Sequence, residues 1–301
     1  ALSPGAAQIA FARGTLFVYQ GDLAQAAGAY QRLLEFKDPV APMYSLYGMA
    51  QLSLLQGRFG EARSLADRGI SALANIKEEN LSNIFRFVAA YALWRSGRLS
   101  EAVNMCKRMH DAGLAMDSPS WQRTALFFQG LNLCDKNSLD EARKVAADLE
   151  SLCRTALDPQ DMVKVDHLKG VIALRMGDHA AAIERSKRAC GRLPHEYSWP
   201  TDMHALCLDT LAQAYERSGN LDEARKEYEK ITAMTSGRYR FGDIYARSFY
   251  RLGKIYEQQG LKVKAAENYK KFLDLWKEAD SGRPEVPDAT KRLAALQGNS
   301  I

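Results

Sequence analysis

Apolar and polar residues alternate along most of this chain with the three- and four-residue spacing of amphipathic α-helices, and turns interrupt the pattern regularly. Residues 97–102, Gly-Arg-Leu-Ser-Glu-Ala, show the unit: a glycine that ends one helix, then the start of the next. The unit begins at Gly21, Gly57, Gly97, Asn137, Gly177, Gly219 and Gly260, positions that lie 36 to 42 residues apart. Asn can replace Gly because both tolerate a left-handed backbone. A period of this length predicts an array of stacked helix pairs.

Each predicted pair carries a small residue seven positions before its turn and an alanine five positions after it. The first set is Gly14, Ala50, Ala90, Gly130, Gly170, Ala212 and Gly253, and the second is Ala26, Ala62, Ala102, Ala142, Ala182, Ala224 and Ala265. Small residues at a fixed place predict that the two helices of a pair approach each other closely there. In several units a larger residue, such as Tyr30 or Tyr269, follows the alanine by four positions on the same helical face.

This arrangement resembles the tetratricopeptide repeat. The seventh unit matches the motif most completely, at Phe249, Leu252, Gly253, Tyr256, Gly260, Ala265, Tyr269 and Phe272. The chain departs from the family pattern because most units lack the aromatic opening residue, only Pro194 ends a repeat in register, and the period exceeds the common ~34 residues by about six. The resemblance implies an all-α fold, a right-handed superhelical α-solenoid of about seven helix hairpins with a C-terminal capping helix.

We expect one solenoid over residues 1–301, because a repeat array has no internal domain boundary. The expected repeats cover 4–38, 41–75, 79–114, 118–156, 158–194, 201–235 and 243–279, and the cap covers 285–297. Two connections stand out: residues 191–200 form the longest, and residues 235–242 are flanked by glycine, basic and aromatic. We expect both to be packing linkers, with ligand contact as the alternative.

The composition is that of an ordinary soluble protein with a solvated surface of mixed charge. The 41 Lys and Arg residues are mixed along the chain with 36 Asp and Glu, for a net charge of +5, and no basic run predicts nucleic-acid binding. No apolar stretch of about 18 residues predicts a membrane span. Five cysteines without close spacing favour a reducing compartment and cytoplasmic localisation. The start lacks Met and a charged n-region, which predicts a processed end with segments missing upstream.

Catalytic motifs are absent from the sequence. We find no P-loop, GxSxG, HExxH or dinucleotide-binding glycine motif, and the five histidines are scattered without ligand-like spacing. Acidic pairs such as Asp140 and Glu141 fall at helix starts, where the helix dipole favours them. The sequence therefore predicts a protein that is not an enzyme and uses neither a cofactor nor a metal.

In tetratricopeptide domains the first helix of each pair lines a concave surface, at positions about 13, 10, 6, 3 and 2 residues before the turn. Here the resemblance implies an aromatic groove in repeats one to four, formed by Phe11, Tyr19, Tyr44, Tyr47, Phe87, Tyr91, Trp94, Arg95 and Phe127. The remaining repeats contribute a more charged part, Lys164, His167, Arg175, Arg217, Arg247, Tyr250, Arg251 and Lys254. The alternative is that these rings are buried between repeats.

Arg247 and Arg251 have the spacing found in the last repeat of members that clamp carboxylates, but Asp209 and Gln213 replace the cation and amide needed earlier. We therefore do not expect such a clamp.

The leading functional hypothesis is a non-catalytic scaffold that binds a protein or peptide in its concave groove. The alternative is a ligand- or peptide-sensing regulatory domain of a larger bacterial signalling protein. Residues 269–280 and the segment after them motivate it, because they resemble the C-terminal end of bacterial tetratricopeptide domains fused to kinases, cyclases or transcriptional regulators. The sequence leaves the partner and the oligomeric state open.

Overall fold

The computed structural model describes residues 5–74, 78–156, 159–194 and 202–298. Regular structure within these ranges is helical throughout, so the prediction of an all-α solenoid is confirmed. The helices are α1 Ala6–Gln20, α2 Leu23–Arg32, α3 Ala41–Leu55, α4 Phe59–Leu73, α5 Glu79–Arg95, α6 Leu99–Ala115, α7 Pro119–Asp135, α8 Leu139–Arg154, α9 Met162–Arg175, α10 His179–Gly191, α11 His204–Arg217, α12 Leu221–Ala233, α13 Gly242–Gln258, α14 Lys262–Leu275 and α15 Glu285–Gly298. None of these helices has the length and apolar run that a membrane crossing requires.

Some sequence predictions fall outside this part of the chain. Most of the long connection at 191–200 does, as do the first four residues and the edges of the repeats expected at 41–75, 158–194 and 201–235. Three short 3-10 helices, Leu33–Glu35, Pro159–Asp161 and Ser236–Arg238, lie in connections between repeats.

Consecutive helices pack as hairpins, α1 with α2 through α13 with α14, and α15 packs on α14. All seven turn positions, including Asn137, have positive φ between 63° and 83°. In each turn the amide of the following residue donates to a carbonyl five residues earlier, as Asp22 does to Phe17 at 2.9 Å. This bond satisfies a carbonyl that the helix end would otherwise leave unpaired. The residues of each turn therefore determine where the chain reverses direction in each hairpin.

The small residues lie at the tightest contacts between helices. A Cβ on Gly14 would come within 2.4 Å of the Tyr30 ring, and one on Gly253 within 2.6 Å of the Tyr269 ring. Tyr30 also touches Gly48 of the next repeat, where a Cβ would lie 2.5 Å from the ring. The large residue therefore packs between successive first helices, and all seven alanines of the second set are fully buried.

The two ends of the array meet. Gly242 at the start of α13 packs directly on Leu55 at the end of α3, where a Cβ would lie 2.7 Å from Leu55 Cβ. Beyond α14, Trp276 Nε1 donates to the Leu55 carbonyl at 3.1 Å, and the Asp280 amide donates to the Gly57 carbonyl at 3.1 Å. Repeat seven and the segment after it therefore close the superhelix onto repeat two.

Candidate functional site

The connection before α13 passes through the concave side of the first repeats. We name residues 236–241 the strap. Tyr239 of the strap is buried and lies edge-on to three rings, with centroids 6.4 Å from Phe11, 6.5 Å from Tyr19 and 6.2 Å from Tyr47. Arg238 Nη1 donates to the Tyr19 carbonyl at 2.6 Å. The aromatic positions of repeats one and two thus surround a side chain of the same protein.

The next part of the strap reaches repeats three and four. Phe241 packs against Tyr91, with centroids 5.5 Å apart, and stacks with Phe128 at 6.5 Å. The Arg240 guanidinium lies over the rings of Phe87, at 5.5 Å, and Phe241, at 5.6 Å. Residues 235–242 therefore pack as the linker that the sequence predicts, and their packing fills most of the aromatic surface.

A buried polar cluster lies beneath the strap. Tyr91 Oη donates to Asp243 Oδ1 at 2.7 Å, and Arg95 pairs with the other carboxylate oxygen at 2.5 Å. Burial and the Asp243 charge raise the pKa of Tyr91 well above its usual range. Phe241, two residues before Asp243, lines a first opening, and Arg95 lines a second.

The second opening is a cavity of about 460 Å³ lined in part by Trp94, Arg95, Arg175, Arg247 and Arg283. The charged groove positions among these residues already form pairs within the protein. Trp94 Nε1 donates to Asp135 at 2.7 Å, and Arg175 also pairs with Asp135. Arg247 pairs with Glu285 at 3.3 Å. Most arginine side chains that line this opening are therefore already paired with other described residues.

Further along, Arg251 pairs with Glu216 at 3.4 Å, and Arg217 Nη1 donates to the Leu174 carbonyl at 3.4 Å. Tyr250 Oη donates to Asp288 on α15 at 2.8 Å. Burial, and then this hydrogen bond, raise the pKa of Tyr250 to about 12. Lys254 Nζ lies 5.7 Å from the centroid of the same ring. These groups hold repeats six and seven together with the cap.

His167 and Phe127 of the predicted set are almost completely buried, as Tyr91 is. His167 is 1% exposed, and its ring lies between Cys207 Sγ, 3.3 Å from Nδ1, and Thr210 Oγ1, 3.4 Å from Nε2. Burial lowers the pKa of His167 to about 3. Phe127 is 1% exposed and packs edge-on against the His167 ring at 5.4 Å. Tyr44 packs on Phe11 at 5.2 Å.

The first opening is a cavity of about 560 Å³, which we name the Trp121 cavity. Its walls come from the first helices of repeats two to five, α3, α5, α7 and α9, and its floor from Arg240 and Phe241 of the strap. Tyr47, Phe87, Phe127 and Lys164 of the predicted groove line it.

The α7 wall of the Trp121 cavity changes from polar to apolar with depth. Ser120 is exposed, Thr124 is half-buried and Phe128 is buried, and the helical period places all three on one face. Trp121 stands beside them and donates from Nε1 to Asn80 Oδ1 at 2.6 Å. An aromatic floor below a hydroxyl-lined rim is typical of a pocket that buries one side chain and leaves a backbone in reach of hydrogen bonds.

Charge in the Trp121 cavity is unevenly compensated. Asp161 pairs with both Arg123, at 2.8 Å, and Lys164, at 2.6 Å. Arg240 has no hydrogen bond or ion pair with any described residue, and its Nη1 atom is buried. Three cations and one carboxylate line the cavity, so its described lining has an excess of positive charge.

The sequence reasoning missed Trp121, Thr124 and Arg240 as cavity residues. Trp121 and Thr124 lie in the first turns of α7, 16 and 13 positions before Asn137. In that repeat the sequence predicts only Phe127 as a residue that lines the groove. The basic and aromatic character of residues 235–242 was the signal for Arg240. In the ranges described, no three His, Cys, Asp or Glu side chains come together as metal ligands would.

Tetratricopeptide repeat family models match residues 11–75 and 204–278. No curated protein sequence matches the chain. Among solved structures, a Rap protein complexed with Competence and Sporulation Factor is similar, with a TM-score of 0.58 and 12% identity over 92% of this chain and 81% of that one. The Rap conjugation gene regulator of the plasmid pLS20, in complex with the Phr* peptide, has a TM-score of 0.57 and 16% identity over 87% of this chain and 75% of that one.

The human IFIT1 dimer with PPP-AAAA has a TM-score of 0.55 and 15% identity over 92% of this chain and 60% of that one. At these identities the likeness concerns the fold. The two family matches fall on hairpins at opposite ends of one array, and the structure shows the same turn at every repeat between them. Residues 11–75 and 204–278 of this chain are therefore tetratricopeptide repeats.

Proposed function

We propose that this protein is a non-catalytic interaction scaffold that binds a short peptide segment of a partner in the Trp121 cavity. The observation that supports this is the wall of α7, which leads from exposed Ser120 past Thr124 to the buried ring of Phe128. Aromatic anchors in such pockets contribute much of the binding energy of peptide and protein interfaces.

The proposed binding site is smaller than the groove expected from the sequence. Tyr239 of the strap packs on Phe11 and Tyr19, and intramolecular ion pairs engage Arg95, Arg175, Arg247 and Arg251. The part of the groove that stays open lies between α5, α7 and α9. A ligand there would contact Tyr47, Phe87 and Lys164 but not Tyr19 or Tyr250.

Similar solved structures favour a peptide as the ligand class. The pLS20 Rap regulator is bound to the Phr* peptide, and it shares this fold. A regulatory role, in which peptide binding in the cavity controls an output elsewhere, follows as the second candidate. Attachment to a kinase or DNA-binding output domain, a bacterial source and a cytoplasmic location remain predictions from the sequence.

Selection of a phage-displayed heptapeptide library on the purified protein tests the proposal. Peptides that are enriched should bind the wild type and lose at least about tenfold in affinity to Thr124→Trp, because the indole fills the cavity. Thr290→Trp, on the exposed face of α15, is the matched control and should bind like the wild type.

Equal binding to Thr124→Trp would contradict the location, and a library without enriched peptides would contradict the ligand class. A 5′-triphosphorylated oligonucleotide is included because IFIT1 is similar in fold. We expect it not to bind, because the excess positive charge of the cavity is small. Binding of that oligonucleotide in competition with the peptides would favour nucleic acid instead.

A further inference from the structure

Arg240 is the cation of the Trp121 cavity that has no ion pair with a described residue. Its guanidinium is held over the rings of Phe87 and Phe241, which fix its plane at the cavity floor. The other two cations of the lining, Arg123 and Lys164, share Asp161. Arg240 alone among the three has no carboxylate within bonding distance in the described chain.

Arg95 shows how an adjacent carboxylate changes the pKa of an arginine side chain in this protein. Both guanidinium groups are held away from water, and burial by itself lowers the pKa of each. Next to Arg95, Asp243 at 2.5 Å outweighs burial and raises the pKa. For Arg240, the charges of Tyr47 and Asp202 act in that direction but burial prevails, and the pKa is lowered. A ligand carboxylate would supply the charge that is missing.

The geometry also indicates which kind of carboxylate. The hydroxyls of Ser118, Ser120 and Thr124 line the cavity on the α7 side, and exposed Ser120 marks the rim. They can bond a peptide backbone that crosses this rim. From there an acidic side chain extends down to the floor, where its stem packs on Phe87 and Phe241 and its carboxylate meets the guanidinium. Arginine suits this role because its planar fork can bind both carboxylate oxygens.

We propose that the peptide bound in the Trp121 cavity carries an aspartate or glutamate whose side chain pairs with Arg240 at the cavity floor. This inference rests on the proposed function and specifies its ligand: an acidic residue in an otherwise neutral, partly apolar segment. Arg240 lies on the strap, so the residue that reads the ligand comes from the same connection that closes the superhelix.

Matched acid and amide peptides test the pairing. Heptapeptides enriched on the wild type are synthesised with each Glu or Asp replaced by Gln or Asn, with both termini blocked, and their affinities are measured by fluorescence anisotropy. One acid-to-amide replacement should weaken binding to the wild type by about tenfold or more, because a charge-assisted pair in a buried site is lost. On Arg240→Gln, the acid and amide forms should bind within about threefold of each other.

Arg154→Gln is the control, because Arg154 is exposed at the end of α8 and outside the cavity; it should keep the full preference for the acid. If Arg240→Gln does not fold, Arg240→Met supplies an unbranched apolar side chain next to the two rings and is read by the same criterion. A purely structural role for Arg240 would lower the melting temperature of the variant and leave the ratio of acid to amide affinity unchanged.

Different results would overturn the pairing with Arg240 and the proposed function. If enriched peptides bind in the cavity, as judged by Thr124→Trp, but acid and amide forms bind the wild type equally, the pairing with Arg240 is wrong and the proposed function stands. An acid preference that persists undiminished in Arg240→Gln likewise overturns the pairing. If no peptide binds, or Thr124→Trp has no effect, the proposed function itself fails.

Discussion

Tyr91 Oη donates a 2.7 Å hydrogen bond to Asp243 Oδ1, a residue 152 positions later in the chain. In an open repeat array each unit touches its neighbours only. This bond joins the first helix of repeat three to the first helix of repeat seven, and Arg95 completes the cluster through its ion pair with Asp243. The contact is buried, so a hydrogen bond and an ion pair close the superhelix through its concave side.

Asp243→Asn should destabilise the protein strongly. The substitution leaves Arg95 without its counter-charge in a site where the Arg95 side chain is 12% exposed, and removing one partner of such a pair costs about 3–5 kcal/mol. Thermal melting and urea unfolding measure the loss. Asp140→Asn, which breaks an exposed pair with Arg143, should change stability by no more than about 0.5 kcal/mol. Equal melting of both variants would mean that the closure contributes little.

Gly253→Ala and Gly28→Ala should change stability in opposite directions. A Cβ on Gly253 would lie 2.6 Å from the Tyr269 ring, so the buried ring must move, at a cost of about 1–3 kcal/mol. A Cβ on Gly28, inside α2, meets nothing within 4 Å, and Ala there should stabilise the helix by up to about 1 kcal/mol. The two melting curves, each compared with the wild type, check the signs. Stabilisation by Gly253→Ala would contradict the close packing described for repeat seven.

Asn137 should tolerate glycine better than alanine. Its φ of 63° lies in the left-handed region, which costs an ordinary side chain about 1–2 kcal/mol. Asn137→Gly should therefore leave stability unchanged or raise it slightly, and Asn137→Ala should lower it by about 1 kcal/mol. Chemical denaturation of both variants measures the difference, and a more stable alanine variant would disagree with this backbone conformation.

Stability should fall on acidification partly because of His167. Its pKa is about 3 in the folded protein and about 6.5 when unfolded. Between these values the unfolded chain binds the additional proton, so the folded state loses stability as the pH falls below about 6.5, by about 2 kcal/mol at pH 5. His167→Gln removes this titration, and its melting temperature should decline less between pH 7 and pH 5 than that of the wild type.

Asp209 acts in the opposite sense, because burial raises its pKa to about 6 and protonation below that value favours the folded state. Since Asp209 is present in both proteins, the difference between His167→Gln and the wild type isolates the histidine. Parallel declines of the two melting temperatures would show that His167 is not the group responsible.

Much of the local architecture could be predicted from the sequence. The turn residues, including Asn137 in place of glycine, and the close packing at Gly14 and Gly253 follow from short-range rules that act within one hairpin. The sequence could predict which aromatic residues occupy the groove positions, but not which of them line an open cavity. Tyr47, Phe87 and Phe127 line the open cavity, whereas Phe11 and Tyr19 pack on Tyr239 of the strap and Tyr91 packs on Phe241.

By itself the sequence determined that this chain forms a row of helix hairpins, because each turn and each small-residue contact depends on residues a few tens of positions apart at most. Only the tertiary structure decided that the row closes on itself, that the strap packs on its concave side, and that Arg240 lines the remaining cavity without an ion pair to any described residue. Closure depends on small rotations between repeats that accumulate over the array, and no single repeat encodes their sum.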